Sequence, residues 1–182
     1  MKEKGNYNVS GFLTIQQTKN GEIIKETFQP IKNVIVETGR EFILDLLIGN
    51  TGYYNGHLTI SNMAAGSINM PASADDWKLY GEGTLNQGGA VCRVPLDPQT
   101  NRTLTTITFH GVFTTADFPG TPYPIGEIGA FLGDIPPTND PQNDSTQRPN
   151  AMFNRLILNP VWTKYNDGTD LRFIYTLELT ET

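Results

Sequence analysis

A single amphipathic helix in a chain otherwise written in strand and turn signals restricts the fold to a β-structure with one helical plug. The segment Asn33-Val-Ile-Val-Glu-Thr-Gly-Arg-Glu-Phe-Ile-Leu-Asp-Leu-Leu-Ile-Gly49 carries it. Thr38 followed three residues later by Glu41 is a capping-box pattern, in which each side chain accepts from the other residue's amide. Phe42, Ile43, Leu46 and Leu47 fall on one side of a 3.6-residue period, with Arg40, Glu41 and Asp45 mostly opposite. Gly49 suits a left-handed stop. The spacing predicts a helix over 39–48 with its apolar side in the core. Exposure of both Phe42 and Leu46 would make it an assembly surface instead.

The flanking segments read as strands. Val9 to Thr18 and Glu22 to Phe28 flank Asn20-Gly21, the signal of a type I′ hairpin turn. The hairpin over 7–29 then pairs Thr18 with Ile23 and Leu13 with Phe28, and buries Leu13, Ile15, Ile24 and Phe28 on one face. His57 to Ser61 is a short strand, Asn62 to Asp76 a long surface loop, and Trp77 to Tyr80 and Ala90 to Val94 two further short strands. Thr103 to Phe113 is the longest β-propensity run, with Ile107, Phe109 and Phe113 on one side. Ile125 to Leu132 and Met152 to Pro160 continue the pattern. Leu171 to Thr180 alternates cleanly, setting Leu171, Phe173, Tyr175, Leu177 and Leu179 on one face. Asp134 to Asn150, rich in Pro, Asp and Asn, reads as an exposed loop. The expected fold is mostly β: a single domain over 1–182, an antiparallel β-sandwich of Greek-key or jelly-roll type with one short helix.

Charge and cysteine usage exclude several classes. Thirteen Lys and Arg against nineteen Asp and Glu give a net charge of −6, with no basic run, so no nucleic-acid partner is expected. The lone Cys92 excludes an intrachain disulfide framework and a thiolate metal cage, and suits a reducing cytoplasm. No apolar segment follows Met1-Lys2-Glu3-Lys4, so neither a signal peptide nor a membrane span is expected.

No reactive constellation emerges. His57 and His110 sit in separate strands without a carboxylate at ligand spacing. Ser61, Ser67 and Ser73 lack a Gly-x-Ser-x-Gly context, and Gly81-x-Gly83 and Gly88-Gly89 precede no helix. Asp75-Asp76 beside Trp77 reads as solvated neighbours rather than a sugar-cleaving pair. Asp134, Asn139, Asp140, Asn143 and Asp144 are hard-oxygen groups without the spacing of an EF-hand. The expectation is a protein that is not an enzyme, with no catalytic, cofactor or metal residues. Two pairs remain. Glu127 and Arg155, charges within apolar segments, are candidates for a structural ion pair. Trp77 and Trp162, with Tyr53, Tyr54, Tyr80 and Tyr165 as further aromatics, are candidates for sugar stacking.

In combination, several stretches resemble small structural proteins of tailed bacteriophages. Asn33-x-Ile35 with Gly39 and the Leu-rich helix is similar to their opening motif. Thr84-Leu85, Arg93 and the Thr-rich strand to Phe113 follow in the same order. Ile125-Gly-Glu-Ile-Gly-Ala-Phe131 resembles their E-I-G-L-F segment, with Ala130 in place of Leu. Phe153-Asn-Arg155 with Pro160 and Lys164 resembles a later strand. The loop Asn62 to Asp76 lacks a Gly-rich run, and Asp134 to Asn150 looks inserted. The resemblance implies a non-enzymatic virion part: tail-fibre-associated, baseplate or capsid-decorating. Its implied partners are copies of itself, as a homo-oligomer, and major capsid or tail proteins. It would be made in the host bacterial cytoplasm and end in the virion, without membrane or nucleic acid. The alternative is a carbohydrate-binding module for host-receptor recognition, using Trp77 and Trp162.

Overall fold

The structure is a computed structural model that describes residues 7–27, 31–82, 93–97, 103–114, 116–117, 122–135, 138–165 and 167–181. Phe28, Thr84, Leu85, Gly88, Gly89, Cys92 and Phe118 therefore lie outside the described residues. In chain order the strands are β1 (Tyr7–Lys19), β2 (Glu22–Glu26), β3 (Ile31–Lys32), β4 (Val34–Ile35), β5 (Asn62–Gly66) and β6 (Arg93–Pro95). They continue as β7 (Thr106–Phe113), β8 (Tyr123–Phe131), β9 (Met152–Lys164) and β10 (Thr169–Glu181). The helix α1 (Glu37–Ile48) stands between β4 and β5.

The clean alternation of the last strand places it in the middle of a sheet. β10 pairs with β1 in one unbroken antiparallel register, from Tyr7 opposite Glu181 to Lys19 opposite Thr169. This first sheet has the order β2-β1-β10-β7, with β3 also on β1; the second has the order β4-β9-β8-β5-β6. Both are antiparallel, and they pack face to face as a β-sandwich. Leu13, Ile15, Phe113, Phe173 and Tyr175 of the first sheet meet Met63, Ile125, Ile128, Phe153 and Leu158 of the second. Phe113 and Phe173 pack edge to face with centroids 5.3 Å apart, a geometry that adds about 1 kcal/mol to burial alone.

The hairpin turn forms as its residues require: Asn20 and Gly21 both hold positive φ, at 52° and 84°. Thr18 faces Ile23, but a bulge between Gln17 and Thr18 then shifts the register, setting Lys25 opposite Gln17. The slip corrects the expected burial of Ile24, which is exposed.

Helix α1 begins at Glu37, and its capping box does not form. Val36 is the N-cap, with no side-chain cap bond, and the Thr38 hydroxyl donates to the carbonyl of Met152. The first turn is fixed by burial against β9. A Cβ on Gly39 would stand 2.1 Å from the Phe153 carbonyl oxygen. Phe42 inserts edge-on between Tyr54 and Phe153, at 5.1 and 6.4 Å. Gly49, at φ 73°, ends the helix as expected. The apolar side is narrower than its periodicity suggests: Thr38, Gly39 and Phe42 are buried, whereas Leu44, Leu46, Leu47 and Ile48 are exposed.

Two further expectations are corrected. The expected surface loop over Asn62 to Asp76 begins with β5, which lies between β8 and β6 in the second sheet and pairs Asn62 with Phe131 through to Gly66 with Glu127. Its Ala64, Ala65 and Gly66 are small because both faces of the strand are covered. Residues 138–150 are not a free excursion. They dock on α1, where Gln142 donates to Glu37 at 2.6 Å and Arg148 to Glu41 at 3.1 Å.

Gly39→Ala should lower unfolding free energy by about 3 kcal/mol, because a packed backbone carbonyl must move. Gly49→Ala should cost only about 1 kcal/mol, the left-handed penalty alone. Urea denaturation of the two variants checks the order.

Candidate functional site

Among the described residues, three buried charged side chains, Asp76, Glu127 and Arg155, gather on the outward face of the second sheet. Sandwich strands usually turn polar side chains to water there, but residues 67–82 leave β5 and fold back over this face as a strap. Ser67 donates its amide to the Gly81 carbonyl, and Gly66 bridges Glu82. Leu79 of the strap packs with Val36, Ala64, Phe131 and Met152 as a second small apolar core.

Arg155 of β9 is fully buried at its centre. Nε donates to Glu127 Oε2 at 2.8 Å, and one terminal nitrogen to Asp76 Oδ2 at 2.7 Å. The terminal nitrogens also donate to the strap carbonyls of Pro71 and Met70, at 3.3 and 3.2 Å. The guanidinium carbon stands 4.8 Å from the Tyr80 ring centre, and the Tyr80 hydroxyl donates to Asp76 Oδ1 at 3.2 Å. Glu127 Oε1 accepts from the Gly81 amide at 2.8 Å, and Asp76 Oδ2 also accepts from the Ser73 amide at 2.7 Å. Gly66 is glycine because a Cβ would stand 2.3 Å from the Glu127 carboxylate.

A second cluster ties down the far end of the strap. Arg93 of β6 holds Glu82 through two bonds, at 2.7 and 3.2 Å, and donates to the carbonyls of Gly133 and Ile135. Its guanidinium lies 3.6 Å from the Phe131 ring centre. Elsewhere, the buried Lys164 donates to the carbonyls of Tyr165 and Thr169, at 2.6 and 2.7 Å. Burial pushes its pKa down, against the pull of Asp170, Asp167 and Asp117.

Chemically, these groups hold chain together. Both oxygens of Asp76 and of Glu127 accept from protein donors and both side chains are buried, so neither carboxylate faces an open cleft. The structure thus brings Glu127 and Arg155 together and adds Asp76 as a third member. Sequence reading had Asp76 as a solvated loop residue, which burial beside Arg155 corrects. Trp77 and Trp162 do not form a platform. Trp162 is 6% exposed within the main core, with the Lys25 ammonium 4.0 Å from its ring centre, so it has no face to offer a sugar. Trp77 lies in the strap, with Lys78 4.6 Å from its ring centre. Asp140 and Asp144 accept from neighbouring amides and side chains of their own loop, and among the described residues no three His, Cys, Asp or Glu gather as a metal site. His57 is exposed, and His110 exchanges backbone bonds with Asp97 at the edge of β7.

No family model, curated protein or solved structure matches this chain.

Two buried tyrosines complete the electrostatics. Burial, aided by the bond from its hydroxyl to Asp45 at 2.8 Å, pushes Tyr54 up to about 12. Burial raises Tyr175 as well, against the opposing influence of the Asn33 and Asn154 amides. A folded phenol that keeps its proton above the unfolded value of 10.0 stabilises the fold below pH 10, and that contribution falls as pH rises toward 12. Tyrosinate absorbance during an alkaline titration should therefore show these two of the seven tyrosines ionising only as the chain unfolds. Tyr54→Phe should remove one of the two.

Arg155→Ala strands two buried carboxylates and should cost about 3–5 kcal/mol in a denaturant titration. Tyr80→Phe, which removes one partly exposed hydroxyl, should cost about 1 kcal/mol or less.

Proposed function

We propose that this chain is a non-enzymatic structural protein of a tailed-bacteriophage virion, assembling on the capsid surface or in the tail. The observation that carries the reading is the uncovered end of α1. Leu47 and Ile48 are 78% and 76% exposed, and Leu44 stands one turn before them on the same side. Contiguous exposed apolar side chains on a well-formed helix favour a protein partner. The employment of buried charge as chain fastening, rather than around an open cleft, supports the same reading. The motif order running from Asn33 through Ile125–Phe131 to Arg155 and Pro160 supports the virion setting. Trp162, held in the core, argues against the carbohydrate-binding alternative.

Gradient-purified particles analysed by quantitative mass spectrometry test the proposal. Copies in the hundreds would indicate the capsid and about a dozen the tail, since copy number follows the symmetry of the site. Absence from particles would defeat it. A Leu47→Asp, Ile48→Asp double variant should keep its melting temperature and lose incorporation.

A further inference from the structure

The inward apolar layer of the first sheet runs further than the second sheet covers it. Tyr175 is buried, Leu177 half-buried and Leu179 exposed along β10, and their cross-strand partners follow, with Leu13 buried and Val9 half-buried. At this uncovered end Val9, Ile35, Ile43 and Leu44 line a groove of about 420 Å³ between β1 and α1. Lys32 and Arg40 stand on its rim, both exposed, and no described carboxylate lies within ion-pair distance of either. The groove therefore suits an apolar side chain with an acid beside it.

The chain carries such a segment elsewhere on its surface. β2 is an edge strand with every residue exposed; Ile23 and Ile24, at 52% and 55%, follow Glu22. Glu22 lies opposite Lys19, and Lys32 lies opposite Phe12, seven residues back along β1. At about 3.3 Å per residue the two surfaces are roughly 23 Å apart along one edge of the first sheet. They cannot meet within one molecule.

We propose that the β2 tip of one copy docks in the Val9–Ile35–Leu44 groove of the next, with its Glu22 set against Lys32 and Arg40. The inference rests on the preceding reading only in expecting copies of the chain to meet. The contact is heterologous, so it propagates head to tail and closes into a ring or continues, according to the rotation between copies. Two isoleucines and one acid make a small interface, weak for a single pair and effective where a scaffold holds copies side by side.

Two variants, each altered on one exposed surface, test it by sedimentation velocity over a concentration series. Ile23→Glu with Ile24→Glu removes the tip; Arg40→Glu with Leu44→Asp removes the groove. Each should keep the wild-type melting temperature and weaken self-association at least about tenfold. Their mixture should form a 1:1 dimer that grows no further, because each variant keeps one intact surface. A carbodiimide, which joins carboxylates to amines in contact, should link Glu22 to Lys32 between isotopically light and heavy wild-type chains. A wild-type chain that stays monomeric and yields no such link overturns the proposal, as does self-association that survives in either variant alone. A monomer still found in particles would leave the virion role standing and remove only the head-to-tail contact.

Discussion

The second sheet depends on one buried cation. Arg155 gathers Glu127 from the neighbouring strand and Asp76, Met70 and Pro71 from the strap. The net stabilisation of such a cluster is small once desolvation is counted; the large quantity is the penalty for leaving any one member alone. That asymmetry selects a single arrangement. A strap shifted by one residue would leave buried charge unpaired. The outward face is consequently covered and small-residued around this charge where a sandwich is ordinarily wet, and Gly66 and Ala64 are the residues that make room.

The legible parts of the fold are those where a periodic pattern or a turn residue acts alone. The alternation of Leu171 to Leu179 gave a strand because one of its faces is covered. Asn20-Gly21 gave a turn because its positive φ values are a local requirement. Where tertiary contact overrides local chemistry, the reading failed. The Thr38 capping box presupposes a solvated helix end, but this end lies against β9, and the Met152 carbonyl takes the hydroxyl. Strand β5, with the sequence Asn-Met-Ala-Ala-Gly, has no strand signature because covering on both faces demanded small side chains. Ile24 is exposed because of a bulge that no propensity marks.

The site was half legible for the same reason. Glu127 and Arg155 stood out as charges inside apolar strands, and sheet register alone brings them close: Arg155 faces Gly129, two residues from Glu127. Asp76, Glu82 and Arg93 carry no such mark, since their partners depend on where the strap lands. Lys164 carries no such mark either; it is buried because the carbonyls of Tyr165 and Thr169, on either side of the turn from β9 into β10, receive its ammonium.

The pairing of β1 with β10 also bears on how the protein is made. Gln17 and Thr169, bonded side chain to side chain, are 152 positions apart. Closing so long a loop is entropically costly, and contacts of this separation form slowly. On the ribosome β1 emerges early and waits, its Leu13 and Ile15 uncovered, until the last strand is translated. The second sheet has its β8–β9 pair available sooner, only 28 residues separating Glu127 from Arg155. The order of synthesis thus leaves β1 without its β10 partner while the intervening chain is made, an unpaired strand that other young chains can meet before its proper partner arrives.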